Sequence, residues 1–174
     1  DEMIELILED LFTADTVTAS VGLPDGRFLI AAAGGLYLAD GDEVVASPLG
    51  ELFEGEVILE MIAFELKGSL VLWIAASDGL HNWKDDFLHT VTPEGLTTQS
   101  AHIALSPSGE MWVAAGKDVY WLEDTGEGLE AWSEQDSLPA DELQTDKLGY
   151  VWVESGGALS LRTPDATWFD LAEL

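Results

Sequence analysis

A short phrase returns four times along this chain, and it constrains the fold more than any other feature of the sequence. Each copy holds a turn with Gly, a strand with Trp or a large apolar residue, a run of small residues and a second strand. The copies read DGRFLIAAAGGLYL, GSLVLWIAASDGLHNW, SGEMWVAAGKDVYWL and LGYVWVESGGALSL. Their anchors, Leu29, Trp73, Trp112 and Trp152, recur about every 40 residues.

Strand-type repeats of this length are typical of β-propellers, in which each repeat forms one blade. The third copy divides into strands at 102–105, 111–115, 119–122 and 130–133, with a hairpin turn at Ser106 to Gly109. We therefore predict an all-β propeller of four four-stranded antiparallel blades, plus an extra outer strand at 3–11. The predicted blades span residues 16–54, 55–98, 99–138 and 139–174.

The anchor tryptophans predict the core, because a large aromatic side chain packs well between neighbouring blades. The small residues that follow them let those blades approach closely. Lys67-Gly68 lies two residues earlier in its repeat than the other hairpin glycines, which predicts a longer second hairpin. Trp83 and Trp121, at the ends of third strands, are the less regular pair and are candidates for partner contact, with edge packing as the alternative.

The charge of the chain is strongly unbalanced, with 34 acidic residues against 6 basic ones and a formal net charge of −28. Such a surface repels phosphate backbones and anionic lipid headgroups, so we expect neither nucleic acid nor a membrane as partner. The acids serve solubility in the simpler interpretation. In a more specific interpretation, the acidic residues form a halophilic-like surface that stays hydrated at high salt.

Cysteine is absent, which excludes disulfides and thiol chemistry and leaves the redox compartment open. No apolar run approaches the length of a membrane span, and no signal peptide is expected. The chain begins with Asp1, so we expect a mature form or an excised piece.

The repeated phrase, above all LVLWIAASDGLHNW at Leu70 to Trp83 with the closing HTVTPEGL at His89 to Leu96, resembles the two-component regulator propeller repeat. That family occurs in ligand-sensing regions of bacterial signalling proteins. The resemblance implies a sensor-like role and an extracytoplasmic location. Leu29 in place of Trp, and Asp118 and Ala158 in place of Gly, depart from the pattern.

The blades of a propeller form a closed ring, and four blades are at the small limit of such rings. Three arrangements of this chain are therefore open. Two chains can pair into an eight-blade ring, with residues 3–11 latching onto a neighbouring chain. Alternatively, four blades close as a monomer, or the chain is a piece of a longer one.

No sharp catalytic or cofactor motif is present, and neither a cofactor nor a metal is predicted. His81, His89 and His102 lack the short spacing of metal ligands, and the acidic turns 40–43 and 124–127 lack that of a calcium loop. Any binding site is expected on the face formed by the loops before each first strand and after each second strand. With the two tryptophans named above, the candidates are Asp15, Glu54, Glu56, Asp78, Glu94, Lys117, Asp141 and Glu142.

We predict a non-catalytic module that binds a ligand or a partner protein, or that assembles with itself. The alternative is a propeller enzyme acting on a carbohydrate, a hydrolase or lyase that uses carboxylates of that face. A third interpretation is a chain built for its repeats, with no natural ligand. Carboxylates converging on one cavity would favour the enzyme.

Overall fold

The computed structural model describes residues 17–32, 35–91, 101–107, 109–115, 118–124, 129–135 and 140–171. Sixteen strands lie in these ranges and form four four-stranded sheets, and a 3-10 helix (Pro48–Phe53) follows the fourth strand. In every sheet the strands are neighbours in chain order and antiparallel. The predicted all-β class with four-stranded antiparallel repeats is confirmed.

The four sheets are numbered in chain order. Sheet 1 comprises β1 (Val17–Gly22), β2 (Phe28–Ala32), β3 (Gly35–Asp40) and β4 (Glu43–Ala46). Sheet 2 comprises β5 (Ile58–Leu66), β6 (Ser69–Ala76), β7 (Gly79–Lys84) and β8 (Phe87–Val91). Sheet 3 comprises β9 (Ala101–Leu105), β10 (Met111–Ala115), β11 (Asp118–Asp124) and β12 (Leu129–Gln135). Sheet 4 comprises β13 (Glu142–Thr145), β14 (Val151–Ser155), β15 (Ala158–Arg162) and β16 (Trp168–Asp170).

Each sheet falls inside one of the four predicted ranges. In the third repeat the predicted second strand coincides with β10, and the other three differ from the observed strands by one to two residues at an end. The hairpin turn in that repeat is closed by hydrogen bonds from Gly109 N to Ser106 O (2.9 Å) and from Ser106 N to Glu110 O (2.9 Å). The extra strand predicted at 3–11 lies outside the described residues.

The hairpin between the first and second strands is longest in sheet 2, as predicted, and its additional length lies in its strands. β5 has 9 residues and β6 has 8, while the loop consists of Lys67 and Gly68 alone. Both loop residues have positive φ, 53° and 85°, as a two-residue turn compatible with strand twist requires. In sheets 1, 3 and 4 the corresponding hairpin has a five-residue loop, such as that between Thr145 and Val151.

The chain divides into two compact units, Asp1–His89 and Thr90–Leu174. In the first unit, Leu29 and Ala31 of β2 form one buried cluster with Leu72 and Ile74 of β6. Full burial of each such large aliphatic side chain contributes roughly 1.5–3 kcal/mol. Sheets 1 and 2 therefore share one apolar core.

The second unit repeats this arrangement. Trp112 and Ala114 of β10 form one buried cluster with Val151 and Val153 of β14. Arg162 of β15 lies over the Trp112 indole, with its guanidinium carbon 4.6 Å from the ring centroid, a cation–π contact. In both units, the anchor position of one sheet thus packs against the second strand of the next.

No helix in the described part of the chain is long and apolar enough to cross a membrane.

Candidate functional site

The predicted site residues are distributed over both units, and three of them, Asp15, Glu94 and Lys117, lie outside the described residues. The two candidate tryptophans are half-buried against the cores of their own units. Trp83 packs on the cluster around Leu72, and Trp121 on the cluster around Val153. Edge packing, the alternative given for this pair, accounts for these contacts.

In the first unit, the loop before β5 and the turn after β6 are joined by hydrogen bonds. Ser77 Oγ donates to Glu56 Oε2 (2.5 Å) and accepts from Val57 N (2.9 Å), and Ser77 N donates to Val57 O (2.8 Å). The two predicted residues Glu56 and Asp78 therefore lie on one edge of sheet 2. Glu54 is an exposed residue that directly follows the 3-10 helix.

A buried histidine lies beside the same turn. His81 is 3% exposed, its Nε2 is 2.8 Å from Asp78 Oδ1, and its ring meets Phe53 edge-on at 5.1 Å between centroids. His81 lies on β7, the third strand of sheet 2, and is part of the packed interior. An imidazole enclosed in this way fixes the turn and the 3-10 helix relative to each other.

In the second unit, Asp141 has a role similar to that of Glu56. Its Oδ2 accepts from Gly156 N (2.6 Å) in the turn after β14, and its backbone N donates to Glu154 O (2.8 Å). Asp141 therefore closes the edge of sheet 4, and its carboxylate is already engaged by the backbone.

Glu142 lies on the outer face of sheet 4. Alternate residues of a strand point to opposite sides, so the residues of this sheet divide between two faces. One side carries Val151 and Val153, which are buried in the core of the unit. The other side, which we call the Trp152 face, consists of residues 142, 144, 152, 154, 159, 161 and 169 by the strand register. An open cavity of about 210 Å³ on this face is lined by Glu142, Gln144, Trp152, Glu154 and Leu159.

The Trp152 face combines apolar surface with two carboxylates. Trp152 is half-buried, and Leu159 and Phe169 are 39% and 43% exposed. Glu142 and Glu154 are directly opposite each other on adjacent strands, and both are exposed. Gln144 Nε2 donates to Glu142 Oε1 at 2.5 Å. An aromatic ring beside paired carboxylates is suited to bind a cation or a polar ligand with a flat apolar part.

Asp146, in the hairpin turn before β14, holds the indole of Trp152 in place. Asp146 Oδ2 accepts from Trp152 Nε1 (3.2 Å), while its Oδ1 accepts from the backbone N of Leu148 (2.8 Å) and of Tyr150 (3.1 Å). Desolvation acts to raise the pKa of Asp146, but these hydrogen bonds outweigh it and keep the pKa below the ordinary value of 3.8. The carboxylate is thus charged and engaged with three donors at neutral pH.

Three residues that line this cavity, Gln144, Glu154 and Leu159, were not predicted from the sequence, and the prediction of Trp152 as a core residue was wrong, since its ring is half-buried. Glu154 is the most informative of the three. It lies two residues after the anchor Trp152, where the other three repeats have Ala31, Ala75 and Ala114. Those three alanines are buried, while Glu154 is exposed. Aligning the repeats position by position, rather than by the run of small residues, would have revealed this substitution.

Within the described ranges, no group of three or more His, Asp or Glu side chains is arranged to hold a metal ion.

No protein-family profile and no curated protein sequence matches the chain. Solved structures do match. The extracellular domain of a hybrid two component system from B. thetaiotaomicron superposes with a TM-score of 0.66 at 15% identity, over 91% of this chain and 22% of that one. Virginiamycin B lyase from Staphylococcus aureus gives 0.63 at 11% identity, over 89% and 55%. A gluconolactonase from Xanthomonas campestris gives 0.63 at 13% identity, over 88% and 60%.

These likenesses define a class of fold. At such low identity they show a propeller-like all-β architecture that extracellular domains of two component systems and enzymes share, and they carry no chemistry over to this chain. The chain spans about a fifth of the two component system domain, 22% of its length.

Proposed function

We propose that the chain is a non-catalytic binding module of the propeller type, related to the two-component regulator propeller repeats and extracytoplasmic in location. The Trp152 face carries this proposal, because it places a fixed indole, two carboxylates and exposed apolar side chains around one cavity. The likeness to extracellular domains of two component systems supports a sensor-like setting. A binding surface on a rigid sheet needs no catalytic group.

The indole N–H signals of the seven tryptophans provide a direct test. The chain is labelled with ¹⁵N-tryptophan, the Trp152 signal is assigned with Trp152→Phe, and three probes are titrated separately: cellobiose, glutarate and N-acetylargininamide. We expect at least one probe to shift the Trp152 signal saturably and to leave that of Trp112, the buried counterpart, unchanged. A Trp152 signal that none of the three moves contradicts the proposed binding role.

A propeller enzyme is the second candidate, and the His81–Asp78 pair is the observation that favours it. The burial of His81 argues against that role, because a general base must reach a proton of its substrate. Gluconolactone and virginiamycin B, the compounds that the names of these two enzymes indicate, serve as probes. We expect both to decay at the buffer rate in the presence of the protein. Turnover that His81→Asn abolishes would favour the enzyme.

A further inference from the structure

The Trp152 face corresponds to surfaces that are covered by a neighbouring sheet elsewhere in the molecule. Leu29 and Trp112, which occupy the anchor position of sheets 1 and 3, are 2% and 1% exposed because each packs against the second strand of the next sheet. Trp152 occupies the same position in sheet 4 and remains half-buried. Sheet 4 thus presents the surface that the next sheet covers in sheets 1 and 3, and Leu159 and Phe169 extend its apolar area.

The interface within the second unit shows which chemistry suits an anchor tryptophan. Arg162 reaches from the third strand of sheet 4 to the Trp112 ring, 4.6 Å from its centroid. A guanidinium stacks well on an indole because it is planar, weakly hydrated and positively charged. The chain has 6 Lys and Arg residues in total, and one of them forms this contact.

The charges of the Trp152 face favour the same kind of group. Glu142 and Glu154 face each other across β13 and β14, a like-charge arrangement that a cation bound beside them would relieve. Glu154 replaces the alanine found at this position in the other repeats. A second copy of the same face would bring four carboxylates together, so pairing of two such faces is unfavourable. In an eight-blade ring, sheet 1 of a second chain would meet the Trp152 face instead, and the one arginine in residues 17–46, Arg27, is paired with Asp25.

We infer that the Trp152 face docks a β-sheet surface of a partner protein that presents an arginine, with the guanidinium stacked on Trp152 between Glu142 and Glu154. The apolar side chains of that partner sheet cover Leu159 and Phe169, as the described sheets cover one another within each unit. The inference rests on the proposed binding role and adds the chemical class of the partner.

The first experiment compares N-acetylargininamide with N-acetylcitrullinamide, its uncharged analogue of nearly equal shape, by the Trp152 indole signal. We expect arginine to bind about 10-fold more tightly, and Glu142→Gln with Glu154→Gln to remove about that factor for arginine while leaving citrulline unchanged. Equal binding of the two compounds overturns the inference.

The second experiment addresses the docked strand. The acetylated peptide Leu-Thr-Arg-Thr-Leu-amide, which in an extended strand has both leucines on the same side as its arginine, is expected to bind several-fold more tightly than N-acetylargininamide because it also covers apolar surface. A peptide that binds no more tightly contradicts a docked sheet.

The remaining outcomes separate this inference from the proposed function. If cellobiose or glutarate shifts the Trp152 signal and arginine does not, the inference fails and the binding role stands; if no probe shifts it, both fail.

Sedimentation velocity provides a further check. We expect Trp152→Phe to leave the association state unchanged, and a dimer that this substitution dissociates would make a second copy the occupant and overturn the inference.

Discussion

Trp112 and Trp152 occupy the same position in consecutive repeats, yet their surroundings differ. Trp112 is 1% exposed beneath Arg162, and its buried Nε1 has no acceptor among the described residues. Trp152 is half-buried, and its Nε1 donates to Asp146. The repeat fixes the side of the sheet on which the indole lies, whereas the residues around it decide whether the ring supports the core or forms a surface.

One position in the hairpin turn accounts for the difference in hydrogen bonding. Asp146 lies six residues before Trp152, and Ser106 lies six residues before Trp112. Asp146 reaches the indole with one carboxylate oxygen and the turn with the other. Ser106 has a single side-chain oxygen, which accepts from Glu110 N (3.0 Å) in its own turn. The acidic turn therefore orients Trp152, while packing alone orients Trp112.

Truncation of the two tryptophans is expected to have the largest effect and to separate their roles. Trp112→Ala should destabilise the second unit by about 3–5 kcal/mol because it empties a fully buried site. Trp152→Ala should cost less than half of that, since the ring is partly solvated already. Urea unfolding followed by far-UV circular dichroism measures both. Equal losses would mean that the two rings are equivalent parts of the core.

Salt is expected to have the next largest effect, because the net charge of −28 opposes the compact state. Raising KCl from low to multimolar concentration should increase Tm by about 5 °C, equivalent to about 2 kcal/mol for a chain of this size. Glu142→Gln with Glu154→Gln, which neutralises the Trp152 face, should reduce this increase slightly. A Tm that salt leaves unchanged contradicts the halophilic-like surface.

The cation–π contact is expected to have a smaller effect. Arg162→Met keeps most of the side-chain volume over Trp112 and removes the charge, which should cost about 1 kcal/mol. Arg27→Met is the control, because Arg27 pairs with Asp25 (Nη2 to Oδ2, 2.6 Å) on an exposed hairpin and touches no aromatic ring in the described contacts. If both variants lose equally, charge alone and not the indole explains the effect.

The pH dependence of Asp146 should give the smallest effect. Its pKa is lowered in the folded state, so its contribution to stability is complete above the ordinary value of 3.8 and is lost as pH falls through the folded value. Asp146→Asn lacks this titration and should lose less stability than the wild type between pH 4 and the acid limit. Thermal melts across this range test it, and parallel profiles would contradict it.

The sequence predicted the fold well because each repeat carries its own strand and turn signals. The strands of the third repeat follow from apolar runs bounded by Ser106 to Gly109 and by the turn before Val119. Each of these signals lies within a few residues of the strand that it defines, so the sequence alone is sufficient to place that strand. The alternation of side chains along β14 then places Val153 in the core and Trp152 opposite to it.

The candidate site was harder to predict, because it depends on what covers a face. Of the predicted residues, Glu142 lies on the Trp152 face, while Asp141 and Glu56 are engaged by neighbouring turns. Glu154 was hidden in a run read as small residues, and the burial of His81 depends on its packing against Phe53, far along the chain. Only register and contacts between elements reveal such features.

The three hydrogen bonds to Asp146 also bear on how fast a partner would associate. They tie the indole of Trp152 to a turn that is itself held by two backbone amides, although Leu148 at its tip is 74% exposed. A ring that is already immobile loses little conformational entropy on contact, so more of the interaction energy remains as affinity. Encounters at this face would then be governed by diffusion and electrostatic steering rather than by a slow rearrangement of the protein.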